Sequence, residues 1–77
     1  MKARDFIRGV MSLGNGISQQ ELSRKIGRHK RFISGYLASG RVPSIELAAE
    51  IADAVDCDLI VYNRETGLED IIEPPER

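Results

Sequence analysis

The chain has 77 residues, 42% of them apolar and 30% charged, a balance that suits one small domain with a thin core and excludes a chain disordered throughout. A single cysteine, Cys57, and a single histidine, His29, exclude an internal disulfide, a thiolate zinc site and the usual histidine metal clusters, so no metal and no cofactor are expected and enzyme readings lose most of their material. The net charge of −1 conceals a segregation of sign: residues 1–41 hold nine Lys or Arg against two acids, net +7, and residues 42–77 hold two Arg against ten acids, net −8, which points one half of the chain at a polyanion.

Residues 3–13 place Phe6, Ile7, Val10 and Met11 on one side of a first helix. Gly14-Asn15-Gly16 ends it, the two glycines around an asparagine supplying the positive φ values of a sharp reversal. A second helix is predicted over 18–26. Ser18 and Glu21 form a capping box, in which the hydroxyl accepts from the Glu21 amide and the carboxylate reaches back to the Ser18 amide. Ile17 and Leu22 have the spacing of a hydrophobic staple, and Leu22 and Ile26 share a face away from Gln19, Gln20, Arg24 and Lys25. Gly27 stops this helix as a left-handed cap. After a turn at 27–29, a third helix is predicted from about 30 to 38, with Ile33, Tyr36 and Leu37 on its apolar side and Lys30, Arg31 and Ser34 opposite; Ser39-Gly40 closes it.

Pro43 fixes the connector at 41–44, and Ser44 is placed to cap a fourth helix over 45–55, whose Ala48, Ile51, Ala52 and Val55 share a face that small alanines let approach its neighbours closely. Asp56-Cys57-Asp58 breaks the pattern; Cys57 reads as a small packing residue. Leu59–Tyr62, β-branched and aromatic, predicts a strand, with 64–67 as a hairpin loop and 68–73 as either a returning strand or a loose tail, since Glu69 and Asp70 weaken the strand pattern. The fold class is therefore mainly α: four helices containing a helix-turn-helix, then a C-terminal β-strand or β-hairpin. Residues 1–57 form the helix-turn-helix domain, and 58–77 form an extension of the same domain. No apolar run approaches the roughly 20 residues that span a bilayer, and MKARDFIRGV is too charged for a signal-peptide core, so a cytoplasmic protein is expected.

QQELSRKIG, then the turn and FISGYL, then RVPSIELAAEIADAV, together resemble the phage Cro and repressor-type (xenobiotic-response-element-like) helix-turn-helix family of DNA-binding proteins over roughly residues 5–57. The likeness lies in the joint spacing of Gln19, Glu21-Leu22, the small Ser23, Ile26-Gly27, Ile33, Pro43-Ser44 and the Ala/Ile-rich helix. It departs in two places: the interval from Ile33 to Gly40 is about one residue longer than the family's, and a strand stands where many relatives continue with a fifth helix.

In that family the first helix of the pair lies across the DNA backbone and the second enters the major groove. The resemblance then implies that His29, Lys30, Arg31 and Ser34 face base edges, and that Gln19 touches phosphate and braces the recognition helix. Arg31 can grip guanine O6 and N7 with two donors, and Lys30 can do so as a point donor. Arg28, Arg24, Arg41, Lys2 and Arg4 suit phosphate, where charge matters more than geometry. His29 is more often a polar turn residue or backbone contact than a base reader, and Phe32 either packs at the helix interface or meets a thymine methyl.

Along Leu59–Tyr62 alternate side chains leave two apolar faces, which an isolated hairpin cannot cover. Leu59, Ile60, Val61 and Tyr62 are therefore expected to pair with their counterparts in a homodimer, spacing two recognition helices one DNA turn, roughly 34 Å, apart. The function expected is a sequence-specific, non-enzymatic transcriptional regulator of bacterial or phage type that binds double-stranded DNA, a repressor because a bound dimer blocks polymerase without an activation domain. The alternative is a protein-interaction module or the antitoxin of a toxin–antitoxin pair, with a protein partner on the C-terminal strand.

Overall fold

The computed structural model describes residues 1–76 and contains, in order, a short 3-10 turn at Ala3–Asp5, helices α1 (Phe6–Leu13), α2 (Gln19–Lys25), α3 (Phe32–Ser39) and α4 (Ile45–Ala54), and strands β1 (Leu59–Tyr62) and β2 (Glu69–Ile72). The expected extension 58–77 ends on Arg77, which lies outside the described residues. Among those residues no helix is long and apolar enough to cross a membrane.

The apolar stripes meet as their spacing requires. Ile7 and Val10 of α1, Leu22 of α2 with Ile26 at its end, Ile33 of α3, and Leu47 and Ile51 of α4 form the buried core, with Phe6, Met11, Ile17, Phe32, Tyr36, Leu37 and Val55 packed around it. α2 packs on α3, and α4 packs on α1, α2 and β1. Phe32 thus serves packing. Leu47 and Ala49 are also buried, so α4 is enclosed on more of its circumference than the predicted face of Ala48, Ile51, Ala52 and Val55.

Local chemistry sets the ends. Ser18 Oγ accepts the Glu21 amide at 3.1 Å, and the same hydroxyl donates at 3.2 Å to the Glu21 carboxylate, which does not reach the Ser18 amide, a correction to the capping box. Gly27, at φ 73°, closes α2: its amide donates to the Arg24 carbonyl and the Arg28 amide to that of Ser23, the two bonds of a Schellman motif. Gly14 corrects a second expectation. Its φ is −88°, and the left-handed residues of the reversal are Asn15 and Gly16. Gly14 is needed for close approach, since a Cβ there would lie 2.6 Å from Val55 Cβ. Ser44 Oγ caps α4 by accepting the Leu47 amide, and Lys25 Nζ donates to the Ala54 carbonyl, tying α2 to the far end of α4.

The third helix starts at Phe32, two residues later than predicted, so Lys30 and Arg31 belong to the turn ahead of it. At its other end α3 runs to Ser39 and closes on Gly40 in the left-handed conformation, so the long interval from Ile33 is taken up as helix. The C-terminal segment is a two-stranded antiparallel sheet in which Leu59 faces Ile72, Ile60 faces Ile71, Val61 faces Asp70 and Tyr62 faces Glu69. Asn63 Oδ1 accepts the amides of Glu65 and Thr66 and shapes the loop between the strands. Leu59 sits with Phe6, Val42, Ile45 and Ala48 around an apolar pocket beside α4, while Ile60, Val61, Tyr62 and Ile71 are exposed.

Candidate nucleic-acid interface

The geometry of α2 against α3 turns on Ser23. A hydroxyl in mid-helix has only its own helix's carbonyls within easy reach, and Ser23 Oγ donates to the Gln19 carbonyl at 2.8 Å. Its lone pairs face the neighbouring helix, and there it accepts the amide of Ile33 at 3.0 Å. Ser23 is fully buried, so this bond joins the two helices inside the core and satisfies an amide at the start of α3 that has no partner within its own helix.

The turn before α3 is ordered by His29. Its Nδ1 accepts the Arg31 amide at 3.2 Å, and its carbonyl accepts the Phe32 amide at 2.9 Å. These two bonds hold residues 29–32 in a turn, which is why the helix does not begin at Lys30. The Ser34 hydroxyl donates to the Arg31 carbonyl at 2.9 Å and fastens the first turn. The four residues expected to read bases, His29, Lys30, Arg31 and Ser34, therefore sit together at the N-terminal end of α3. Lys30 and Arg31 are exposed, and neither makes an ion pair among the described residues.

The residues expected at phosphate divide into several places. Gln19 opens α2 and is exposed, with its carbonyl engaged by Ser23; Arg24 is exposed near the other end of the same helix, and Lys2 is exposed at the chain start. Arg28 is partly committed within the fold: its guanidinium lies 3.8 Å from a Glu50 carboxylate oxygen and 5.2 Å from the Phe32 ring centroid. Arg4 and Arg41 line a cleft of about 190 Å³ between the N-terminal turn and the end of α3, together with Asp5, Arg8, Tyr36 and Gly40. Arg41 is set over the Tyr36 ring at 4.5 Å, with its Nε donating to Ser39 Oγ. Among the described residues Arg4, Arg8 and Arg41 make no ion pair within 4 Å, and their three guanidinium groups line the cleft against one carboxylate, Asp5, which leaves it net cationic.

Two contributors escaped the sequence reading. Ser23 was visible as a small residue at a family position, but its bond to Ile33 depends on how α3 crosses α2. Arg8 carried no signal beyond its charge; its place beside Arg41 comes from α1 packing near the end of α3. The chain surface here offers exposed cations and hydrogen-bond donors at one helix end and a cationic cleft elsewhere, an arrangement fitted to phosphate and base-edge acceptors. A family profile described as helix-turn-helix matches residues 13–61. Comparison with curated proteins and with solved structures returns no match.

Proposed function

Because the chain belongs to the Cro/C1-type helix-turn-helix family, whose members bind DNA and are not enzymes, we propose that it is a sequence-specific transcriptional regulator, a repressor in role, that reads the major groove with the N-terminal end of α3. The observation that carries this reading is that Lys30 and Arg31, exposed and without an ion pair among the described residues, stand at a helix start that Ser23 and His29 hold in one position. Arg31 places a two-pronged donor on guanine O6 and N7, Lys30 adds a point donor, and His29 and Ser34 complete the base-facing group. Gln19, Arg24, Arg28, Arg41, Lys2 and Arg4 contact phosphate and set the register.

Leu59, Ile60, Val61 and Tyr62 join two copies into a homodimer, so that two α3 helices enter successive major grooves roughly 34 Å apart. The dimer covers promoter DNA and excludes polymerase, which suffices for repression. The acidic half of the chain, carrying the hairpin, is repelled by phosphate and stays off the duplex.

Titration of duplex DNA, first with binding sites selected from a random pool and then with single-base variants, tests the reading. Arg31→Ala is expected to cost about 1–3 kcal/mol and to erase the preference at one base position, and wild-type affinity is expected to fall with salt at a log–log slope of about −0.9 per phosphate contact. A flat salt response sinks the DNA reading; an equal loss on every sequence for Arg31→Ala makes that residue a phosphate contact. The exposed apolar side chains of the hairpin favour a second reading, an antitoxin or protein-interaction module. The flat salt response is the outcome that would promote it.

A further inference from the structure

We propose that a second copy of this chain adds along the free edge of β1, antiparallel and centred on Val61. This rests on the dimer reading above and assigns its edge, its register and its charge pairing.

In an antiparallel ladder each residue directs its N–H and C=O to one side and the next residue directs them to the other. The Asn63 amide donates to the Leu68 carbonyl at 2.8 Å, continuing the register of the two strands. Leu59, Val61 and Asn63 are therefore the residues turned toward β2. The N–H and C=O groups of Ile60 and Tyr62 face the open edge of β1.

The choice of edge follows from charge. β1 is Leu-Ile-Val-Tyr, with no charged side chain, whereas β2 begins Glu69-Asp70 and runs on toward Pro74. A charged strand bordered by proline is guarded against strand addition; a neutral apolar one is open to it.

The register follows from the pleat. A two-fold axis normal to the sheet keeps each side chain on its own face, so only pairings that match faces are allowed. Bonding Ile60 to the partner's Tyr62, and reciprocally, uses every free group within β1 and puts Val61 opposite the partner's Val61 as a non-hydrogen-bonded pair. The same register sets Asp58, just before β1, opposite the partner's Arg64, just after it, and does so twice. A register centred on Ile60 would set Asp58 against the partner's Tyr62 and forgo this complementarity. On one face Ile60 and Tyr62, 45% and 57% exposed, meet the partner's Tyr62 and Ile60 across the seam, and Ile71, 49% exposed and paired with Ile60 in β2, flanks them on the same face of a four-stranded sheet.

Cysteine scanning in a Cys57→Ser background tests the register. Non-hydrogen-bonded partners stand about 4.5 Å apart at Cα, within the range a disulfide bridges. Val61→Cys is expected to oxidise to a covalent dimer, while Ile60→Cys and Asp70→Cys stay mostly unlinked. Asp58→Arg is expected to weaken association several-fold and Asp58→Arg with Arg64→Asp to restore it. Preferential linking at Ile60→Cys or Asp70→Cys, equal linking at all three, or no recovery in the charge exchange overturns the register and leaves the dimer standing. Wild-type protein that sediments only as monomer at micromolar concentration, with and without DNA, overturns the dimer itself.

Discussion

Ser23 is small enough to sit at the crossing of two helices and polar enough to serve both, and the cost of removing it can be stated. Ser23→Ala leaves the Ile33 amide buried without its acceptor, a penalty of about 1–3 kcal/mol, against which alanine returns about 0.5 kcal/mol of helix propensity. Net destabilisation of about 0.5–2.5 kcal/mol is expected in urea unfolding, with a loss of DNA affinity at temperatures where the variant is still folded. An unchanged unfolding midpoint would show that the Ile33 amide finds another partner. At this scale the sequence displayed the residue type and position; the bond itself depended on a helix ten residues away in the chain.

The helices were legible because each carries its signal locally: Ser18 and Ser44 as caps, Gly27 and Gly40 as stops, and the 3.6-residue period of Ile7, Val10, Leu22, Ile26 and Ile33, whereas the second strand, open between strand and tail in the sequence because of Glu69 and Asp70, was settled by its pairing with β1. The start of α3 was not legible, because its lock is a histidine ring accepting an amide two residues on, a signal that composition and periodicity do not carry. α3 also bears a probe of its own. Gly35 is exposed in mid-helix, and a Cβ added there meets nothing within 4 Å. Gly35→Ala is expected to stabilise the fold by about 1 kcal/mol, read as a rise in unfolding midpoint, and to weaken DNA binding because the added methyl stands off the groove. Equal or tighter DNA binding would place this side of α3 away from the duplex.

Over the whole molecule the charge segregation read from the sequence is carried by different elements, with nine of the eleven cations ahead of α4 and most of the acids from α4 onward. The exceptions are informative: Glu50 reaches Arg28, so that one candidate phosphate ligand is partly neutralised from within. The cleft of Arg4, Arg8 and Arg41, lined also by Asp5, holds no ion pair within 4 Å among the described residues and stays net cationic. Arg8→Gln is expected to flatten the salt dependence of DNA binding by about one phosphate, a slope change near 0.9, and to weaken all sequences alike. An unchanged slope would put Arg8 outside the interface.

What the sequence determined by itself is everything that propensity, capping and period encode within a few residues: four helices, the turn at Gly27, the strand at Leu59–Tyr62 and the polarity of the charge field. Tertiary structure decided which groups come together: Ser23 with the Ile33 amide, Arg28 with Glu50, and Arg4, Arg8 and Arg41 around one cleft. It also decided that β1 keeps an open edge, with Ile60, Val61 and Tyr62 uncovered. The reason is physical. Local signals act through a backbone already adjacent, whereas a contact between distant residues exists only once the core has set the angle and separation at which the elements cross.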